Sequence, residues 1–187
     1  MTDETIVKRT LAGHAAVFWF TGLSGAGKTT IAEGVARRVT EDDRRVLVLD
    51  GDDVRTHLHR DLGFTETDIK ENNALLVELC RTHRANYDAI LVPIISPFAS
   101  SRQAAREMLS PGFFEVYCYA ELDIVVARDT KGLYAKARCG DLEDLIGYSP
   151  GAPYEAPQAP NLTISTAEML PKDAVAEMYR FVAARLP

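Results

Sequence analysis

Residues 22–29, Gly22-Leu23-Ser24-Gly25-Ala26-Gly27-Lys28-Thr29, follow directly on the apolar run AAVFWFT at 15–21. They lead into a stretch with apolar residues at Ile31, Val35 and Val39. This is G-x-x-x-x-G-K-T set between a strand-like and a helix-like segment, the context in which the pattern has a mechanical meaning. Glycines let the backbone wind so tightly that successive N–H groups face inward, and the helix that follows adds the positive end of its dipole. The ligand for such a cradle is a polyphosphate. Lys28 is placed to reach its outer phosphates, and the Thr29 hydroxyl to ligate Mg²⁺. Gly22, Leu23, Ser24, Gly25, Ala26, Gly27, Lys28, Thr29 and the adjoining Thr30 are therefore candidate ATP-binding residues. The motif establishes nucleotide binding without choosing a reaction. A length of 187 residues and the lack of an NKxD-like guanine motif favour a small-molecule kinase over a motor or switch GTPase.

The overall charge supports a local site for any anion. Lys and Arg number 21 against 27 Asp and Glu, a net charge of −6, with a sequence pI near 5.2. That balance argues against a general nucleic-acid binder. Apolar residues at 47% and charged residues at 26% are ordinary for a folded domain, and the length suits one domain over residues 1–187. The longest apolar runs, at 15–20 and 89–95, reach six or seven residues. A bilayer span needs about 20, and the mixed-charge N-terminus shows no signal-peptide core, so the expectation is a cytoplasmic protein with no membrane partner. Cys80, Cys118 and Cys139 are widely spaced and read as small core hydrophobes rather than a disulfide or zinc framework.

Further along, apolar bursts alternate with helix-length segments. Strands are expected at 15–21, 45–50, 89–95, 113–119 and, more weakly, 161–165. Helices are expected at 29–39, at 66–84 with Ile69, Leu76, Leu79 and Cys80 near one face, and after Pro171 with Val175, Tyr179, Val182 and Leu186 in register. Such alternation implies crossovers and a mostly parallel five-stranded sheet in a three-layer α/β/α arrangement, with ligands beyond the carboxyl ends of the strands.

The second strand ends in Asp50-Gly51-Asp52-Asp53, three carboxylates in four residues. Next to a phosphate site this cluster calls for a metal or a proton-accepting role. The third strand ends at Ser96 without an acid of its own, so the carboxylate of the metal shell falls to Asp50 or Asp52. Either could also orient or deprotonate an acceptor hydroxyl. His57 and His59 are two residues apart and have no third ligand nearby, which gives no zinc site.

The strings FTGLSGAGKTT, LDGDDVR, DLGF, ENN, ISPF, RDTKGLYAKAR and PYEAP occur in one order over about residues 18–157. Together they closely resemble the adenylylsulfate kinase family. The resemblance implies a P-loop kinase fold, Mg-ATP as donor, a homodimer, and transfer to the ribose 3′-hydroxyl of adenylylsulfate. It implies Lys28, Asp50, Asp52 and Ser96 as catalytic residues, with Ser96 a phosphoserine intermediate that in-line transfer does not require. Thr29 and Asp52 would hold the metal. Asp52, Arg55, Phe64 (stacked on the base), Asn72, Ile95, Ser96, Lys131, Gly132 and Leu133 would line the acceptor site, and Arg128 would lie by the ATP adenine. The segment at about 128–148 resembles the family's lid, and Lys131, Lys136 and Arg138 place three cations within eight residues of it.

The chain departs from the family pattern on the acceptor side. Ile69, Ala74, Leu75 and Ala99 stand where arginines are usual, Asp53 where asparagine is common and His57 where glycine is common. Lys70, Arg102 and Arg106 are the cations available to compensate. Two other readings follow: a paralogue using the same chemistry on another capped nucleotide, such as a CDP-phosphoramidate-like acceptor, or a non-catalytic nucleotide-binding regulatory module.

Overall fold

A computed structural model describes residues 14–52, 54, 63 and 65–186. The chain runs through β1 (Ala16–Thr21), α1 (Lys28–Glu41), β2 (Val46–Val48), α2 (Glu66–His83), β3 (Ala89–Val92) and α3 (Ala99–Leu109). It continues through β4 (Phe113–Tyr119), α4 (Leu122–Arg128), α5 (Leu133–Cys139), β5 (Leu162–Ser165) and α6 (Pro171–Ala183).

The five strands form one sheet in the order β2-β3-β1-β4-β5, and every pairing is parallel. Central β1 is buried at all six positions because both faces of a parallel sheet are covered. Side chains alternate across a strand. Ala16, Phe18 and Phe20 accordingly join one core with Val35 and Val39 of α1 and Met178 and Val182 of α6. Val17 and Trp19 join the opposite core with Leu76 and Cys80 of α2 and Ala105 and Leu109 of α3. The three-layer expectation holds. The chain leaves β1 toward one edge of the sheet and leaves β3 toward the other. Ligands in open α/β sheets bind at such a switch point, and the glycine-rich loop follows β1 there.

Some boundaries differ from the sequence reading. β3 stops at Val92 because Pro93 has no N–H to donate to the ladder. β2 is assigned only over Val46–Val48, although Leu49 still donates to the Leu91 carbonyl at 2.9 Å. α2 begins with a capping box in which Thr65 and Asp68 exchange hydrogen bonds. On its inner face Asn72 and Asn73 are buried while Leu79 is only partly so. In α6, Met178 takes the buried position beside half-buried Tyr179. Helices α3, α4 and α5 fall where no element was delimited. Cys80 and Cys118 are buried as expected, but Cys139 is exposed at the end of α5. No helix among the described residues is long and apolar enough to cross a membrane.

Candidate active site

The loop after β1 turns at Gly22, whose φ of +141° and close neighbour both require glycine. A Cβ there would lie 2.3 Å from the Cys118 carbonyl oxygen of β4. The loop closes onto α1, where Lys28 is 8% exposed and its ammonium donates to the Gly22 and Leu23 carbonyls, each at 2.8 Å. Burial pushes the Lys28 pKa down to about 8, and the charge of Lys131 adds to that, while Asp52 and Asp50 pull the other way.

Thr29 Oγ1 donates to Asp50 Oδ2 at 2.8 Å, tying the start of α1 to the end of the β2 segment. The other Asp50 oxygen accepts from the Asp52 N–H at 2.9 Å. The Asp52 carboxylate is exposed and meets the Lys131 ammonium, which reaches it from the turn before α5. The two acids expected to act together therefore have different surroundings: Asp50 joins the phosphate loop and Asp52 joins Lys131 of the turn before α5.

These groups border a cavity of about 480 Å³. Ser24, Gly25, Gly27, Lys28, Thr29 and Thr30 form one wall, while Ile69, Asn72, Asn73, Ile95 and Ser96 form another. Thr130, Lys131 and Leu133 border it from the turn before α5 and its first residue, together with Leu142, Asp144, Leu145 and Ile146. Gly22, Leu23 and Ala26 back the first wall without lining the cavity, Ala26 within the core. Gly132 caps α5 with φ +67° and also lies off the lining. Arg128 donates to the Thr166 carbonyl at 2.6 Å and sits within 3.5 Å of the Gly25 carbonyl. Lys136 and Arg138 are exposed and do not border the cavity. Arg55 and Phe64 lie outside the described residues, as do Asp53, His57 and His59.

Ser96 is 2% exposed and adopts φ +42°, a left-handed conformation rare outside glycine. Its Oγ accepts from Asn73 Nδ2 at 2.9 Å. Its carbonyl accepts from Arg102 at 2.8 Å and from Thr21 Oγ1 at 3.2 Å. Asn72 is buried beside it, with an Oδ1 that has no partner among the described residues. Asn73, Arg102 and Tyr154, whose hydroxyl bonds Thr21 Oγ1 at 2.9 Å, were missed as supports of this site. The ENN string, which contains Asn73, and the PYEAP string, which contains Tyr154, are the signals that point toward them.

The compensating cations do not reach the cavity. Arg102 and Arg106 both pair with Glu115 of β4, at 2.7 and 2.9 Å. Lys70 pairs with Glu66 on the exposed face of α2. Ile69 is 6% exposed and packs in a cluster with Phe98 and Ile146, so the wall where an arginine was anticipated is apolar.

A parallel sheet carrying this cradle at a strand–helix turn, with a threonine hydroxyl held by a carboxylate, defines a P-loop nucleotide-binding fold. Comparison with known proteins narrows the class. The family model described as adenylylsulphate kinase matches residues 14–165. The adenylyl-sulfate kinase of Halothermothrix orenii is 43% identical over 164 residues, covering 88% of this chain and 87% of that one. The adenylyl-sulfate kinase of Prochlorococcus marinus is 40% identical over 165 residues, covering 88% and 81%. The solved structure of the Mycobacterium tuberculosis APS kinase CysC, in complex with AMPPNP and APS, superposes with a TM-score of 0.86 at 36% identity, covering 91% of this chain and 98% of that one. The chain belongs to the adenylylsulphate kinase family.

Proposed function

We propose that this protein transfers the γ-phosphoryl group of ATP to the ribose 3′-hydroxyl of adenylylsulfate, giving 3′-phosphoadenylylsulfate. The observation that carries the reading is the joining of the cradle, Lys28, Thr29 and Asp50 at one wall of a cavity whose far wall belongs to other elements. Two substrates can thus meet end to end.

Residues 22–30 hold the triphosphate, and Lys28 turns from the loop carbonyls to the outer phosphates. A hydroxyl beside a carboxylate is a hard-oxygen donor set of the kind Mg²⁺ takes together with substrate phosphates, so Thr29 and Asp50 fit that ion. The ion would offset charge on the phosphoryl oxygens. Asp52, expected in the metal shell, fits better as the group that orients or deprotonates the acceptor hydroxyl once Lys131 moves to an acceptor anion. Ile95, Ser96, Asn72, Lys131 and Leu133 shape the acceptor end, with Gly132 setting the lid turn. Arg55 and Phe64 complete that end, as the family resemblance implies. Arg128, fixed on Thr166, flanks the ATP base. Ser96 acts as a wall and turn residue, and in-line transfer needs no phosphoserine. The segment at 128–148 closes over the reacting groups and excludes water. We take residues 1–187 as one domain, working as a cytoplasmic homodimer.

One observation favours a second acceptor chemistry. Ile69 places an apolar wall where a cation was anticipated, and that suits a capping group with less negative charge than a sulfate. Turnover assays with adenylylsulfate and with a CDP-capped analogue separate the two. Micromolar-KM turnover of adenylylsulfate confirms the first reading, and its failure beside brisk turnover of the analogue selects the second. Turnover that survives in Lys28→Ala would overturn both. A wild type that binds ATP yet turns over neither acceptor is the regulatory module.

A further inference from the structure

The first carbonyls of the glycine-rich loop are held by side-chain donors, one after another. Those of Gly22 and Leu23 accept from Lys28, and that of Ser24 accepts from the Tyr134 hydroxyl at 2.9 Å. Tyr134 belongs to α5, so the bond spans 110 residues of sequence. It is also well built. Tyr134 is 3% exposed, its ring packs edge-on to Tyr148 at 5.5 Å, and the backbone N–H groups of Tyr134 and Ala135 both donate to the Asp129 carboxylate. Burial, with Asp129 nearby, pushes the phenol up to about 12, so the hydroxyl stays a donor at working pH.

In a trans peptide the N–H lies opposite the carbonyl. A Ser24 carbonyl turned toward the Tyr134 hydroxyl, which lies off the cavity lining, therefore turns the Gly25 N–H away from that hydroxyl, and Gly25 itself lines the cavity. Among the described residues, the Tyr134 hydroxyl is the hydrogen-bond partner of this peptide. Gly25 has φ +76° and no Cβ, which leaves its preceding peptide free of the steric penalty that would oppose a flip in another residue. An inverted peptide would present a carbonyl oxygen to a phosphate.

We infer that Tyr134 is a positioning residue for the phosphate cradle, its hydroxyl locking the Ser24–Gly25 peptide so that the Gly25 N–H faces the nucleotide phosphates. The inference rests on the ATP-binding reading of the preceding subsection. It also makes α5 part of the donor site rather than a freely swinging piece of the lid. Closure is then left to the turn before α5 and the irregular chain after it.

Tyr134→Phe removes one oxygen and keeps the ring. A lost hydrogen bond of ordinary strength weakens binding roughly 3- to 10-fold. KM for ATP and the calorimetric Kd values of ADP and inorganic pyrophosphate should all rise by about that factor, with KM for the acceptor unchanged. Val182→Ala is the matched control. It removes buried packing in α6, away from the cavity, and should lower Tm while leaving ADP affinity near wild type. In the unaltered protein the Gly25 amide proton should move downfield on addition of ADP. Unchanged ADP and pyrophosphate affinity in Tyr134→Phe overturns the inference, as does an equal rise in both KM values accompanied by a fall in Tm. A Gly25 resonance indifferent to ADP overturns it without any variant. A wild type that fails to bind ADP defeats the ATP-binding reading itself, whereas normal wild-type binding with an unaffected Tyr134→Phe defeats this step alone.

Discussion

Thr29 Oγ1 and Asp50 Oδ2 meet at 2.8 Å, joining residues 21 positions apart into one polar pair at the phosphate loop. The other acid of the cluster does not share this position, because Asp52 is exposed and directed to Lys131. A short acidic string in the sequence thus resolves into two carboxylates facing different partners, and this difference can be measured.

Asp50→Asn keeps the shape and removes the charge beside Thr29. The Mg²⁺ concentration giving half-maximal rate should rise by roughly tenfold or more, with a lower kcat. Asp52→Asn should leave the Mg²⁺ requirement near wild type while kcat drops by about 10²-fold or more, the scale of a lost general base. Rate profiles against Mg²⁺ for the two variants provide the check. Identical profiles would show that the pair acts on one ion.

Lys28 makes nucleotide binding depend on pH. In the free protein burial lowers its pKa from 10.5 to about 8, so above pH 8 the ammonium is mostly neutral. A bound polyphosphate favours the charged form and restores the proton. ATP or ADP binding at pH 9 should therefore take up close to one proton, and at pH 7 almost none from this group. Calorimetry in buffers of differing ionisation enthalpy reads the number directly. The sign for folding is opposite to that of a paired lysine. The folded state binds fewer protons than the unfolded state between about pH 8 and 10.5, so the penalty for burying this charge is full below 8 and fades as pH rises through that window.

The cradle and strand β1 were legible because each rule there is local: six apolar residues, then glycines, then Lys-Thr. The parallel five-stranded sheet followed from alternation, but its strand order did not. What could not be read was which distant groups close on one another. Nothing near Arg102 in the sequence shows that Glu115 of β4 and the Ser96 and Glu155 carbonyls use up its guanidinium, so it passed for an available cation. Tyr134 stands in the RDTKGLYAKAR string with no role legible there, although its hydroxyl reaches the phosphate loop. Likewise the string Asp50-Gly51-Asp52 says nothing of which acid faces Thr29. That depends on where α1 begins relative to the end of β2.

Gly22 offers a test of the packing that sets the loop. A Cβ at this position would stand 2.3 Å from a backbone oxygen of β4, and φ is +141°. A backbone atom cannot step aside as a side-chain tip can. Gly22→Ala should cost about 2 kcal/mol or more from backbone strain alone, seen as a lower midpoint in urea unfolding. The variant that folds should bind ADP more weakly than wild type. Gly151→Ala is the comparison, since nothing lies within 4 Å of the added methyl, and both readouts should barely move.

Arg102 supplies the last test, because it links the acceptor wall to the core. Its side chain is 4% exposed and makes three hydrogen bonds, to Glu115 Oε1 at 2.7 Å, the Ser96 carbonyl at 2.8 Å and the Glu155 carbonyl at 2.7 Å. Ser96 occupies a left-handed conformation that needs such over-determination to persist. Arg102→Met leaves Glu115 with Arg106 alone, the Ser96 carbonyl with Thr21 Oγ1 alone and the Glu155 carbonyl without this donor, and each buried polar group left unsatisfied costs about 1–3 kcal/mol. Lysine cannot restore the geometry, since it lacks the planar fork that serves three acceptors at once. Arg102→Lys should therefore recover less than half of the lost stability in urea unfolding. KM for the acceptor should rise more than KM for ATP, because the released turn lies on the Ile95–Ser96 wall rather than in the cradle. An Arg102→Lys protein with wild-type stability and both KM values unchanged would show that the Ser96 turn holds its shape without the guanidinium.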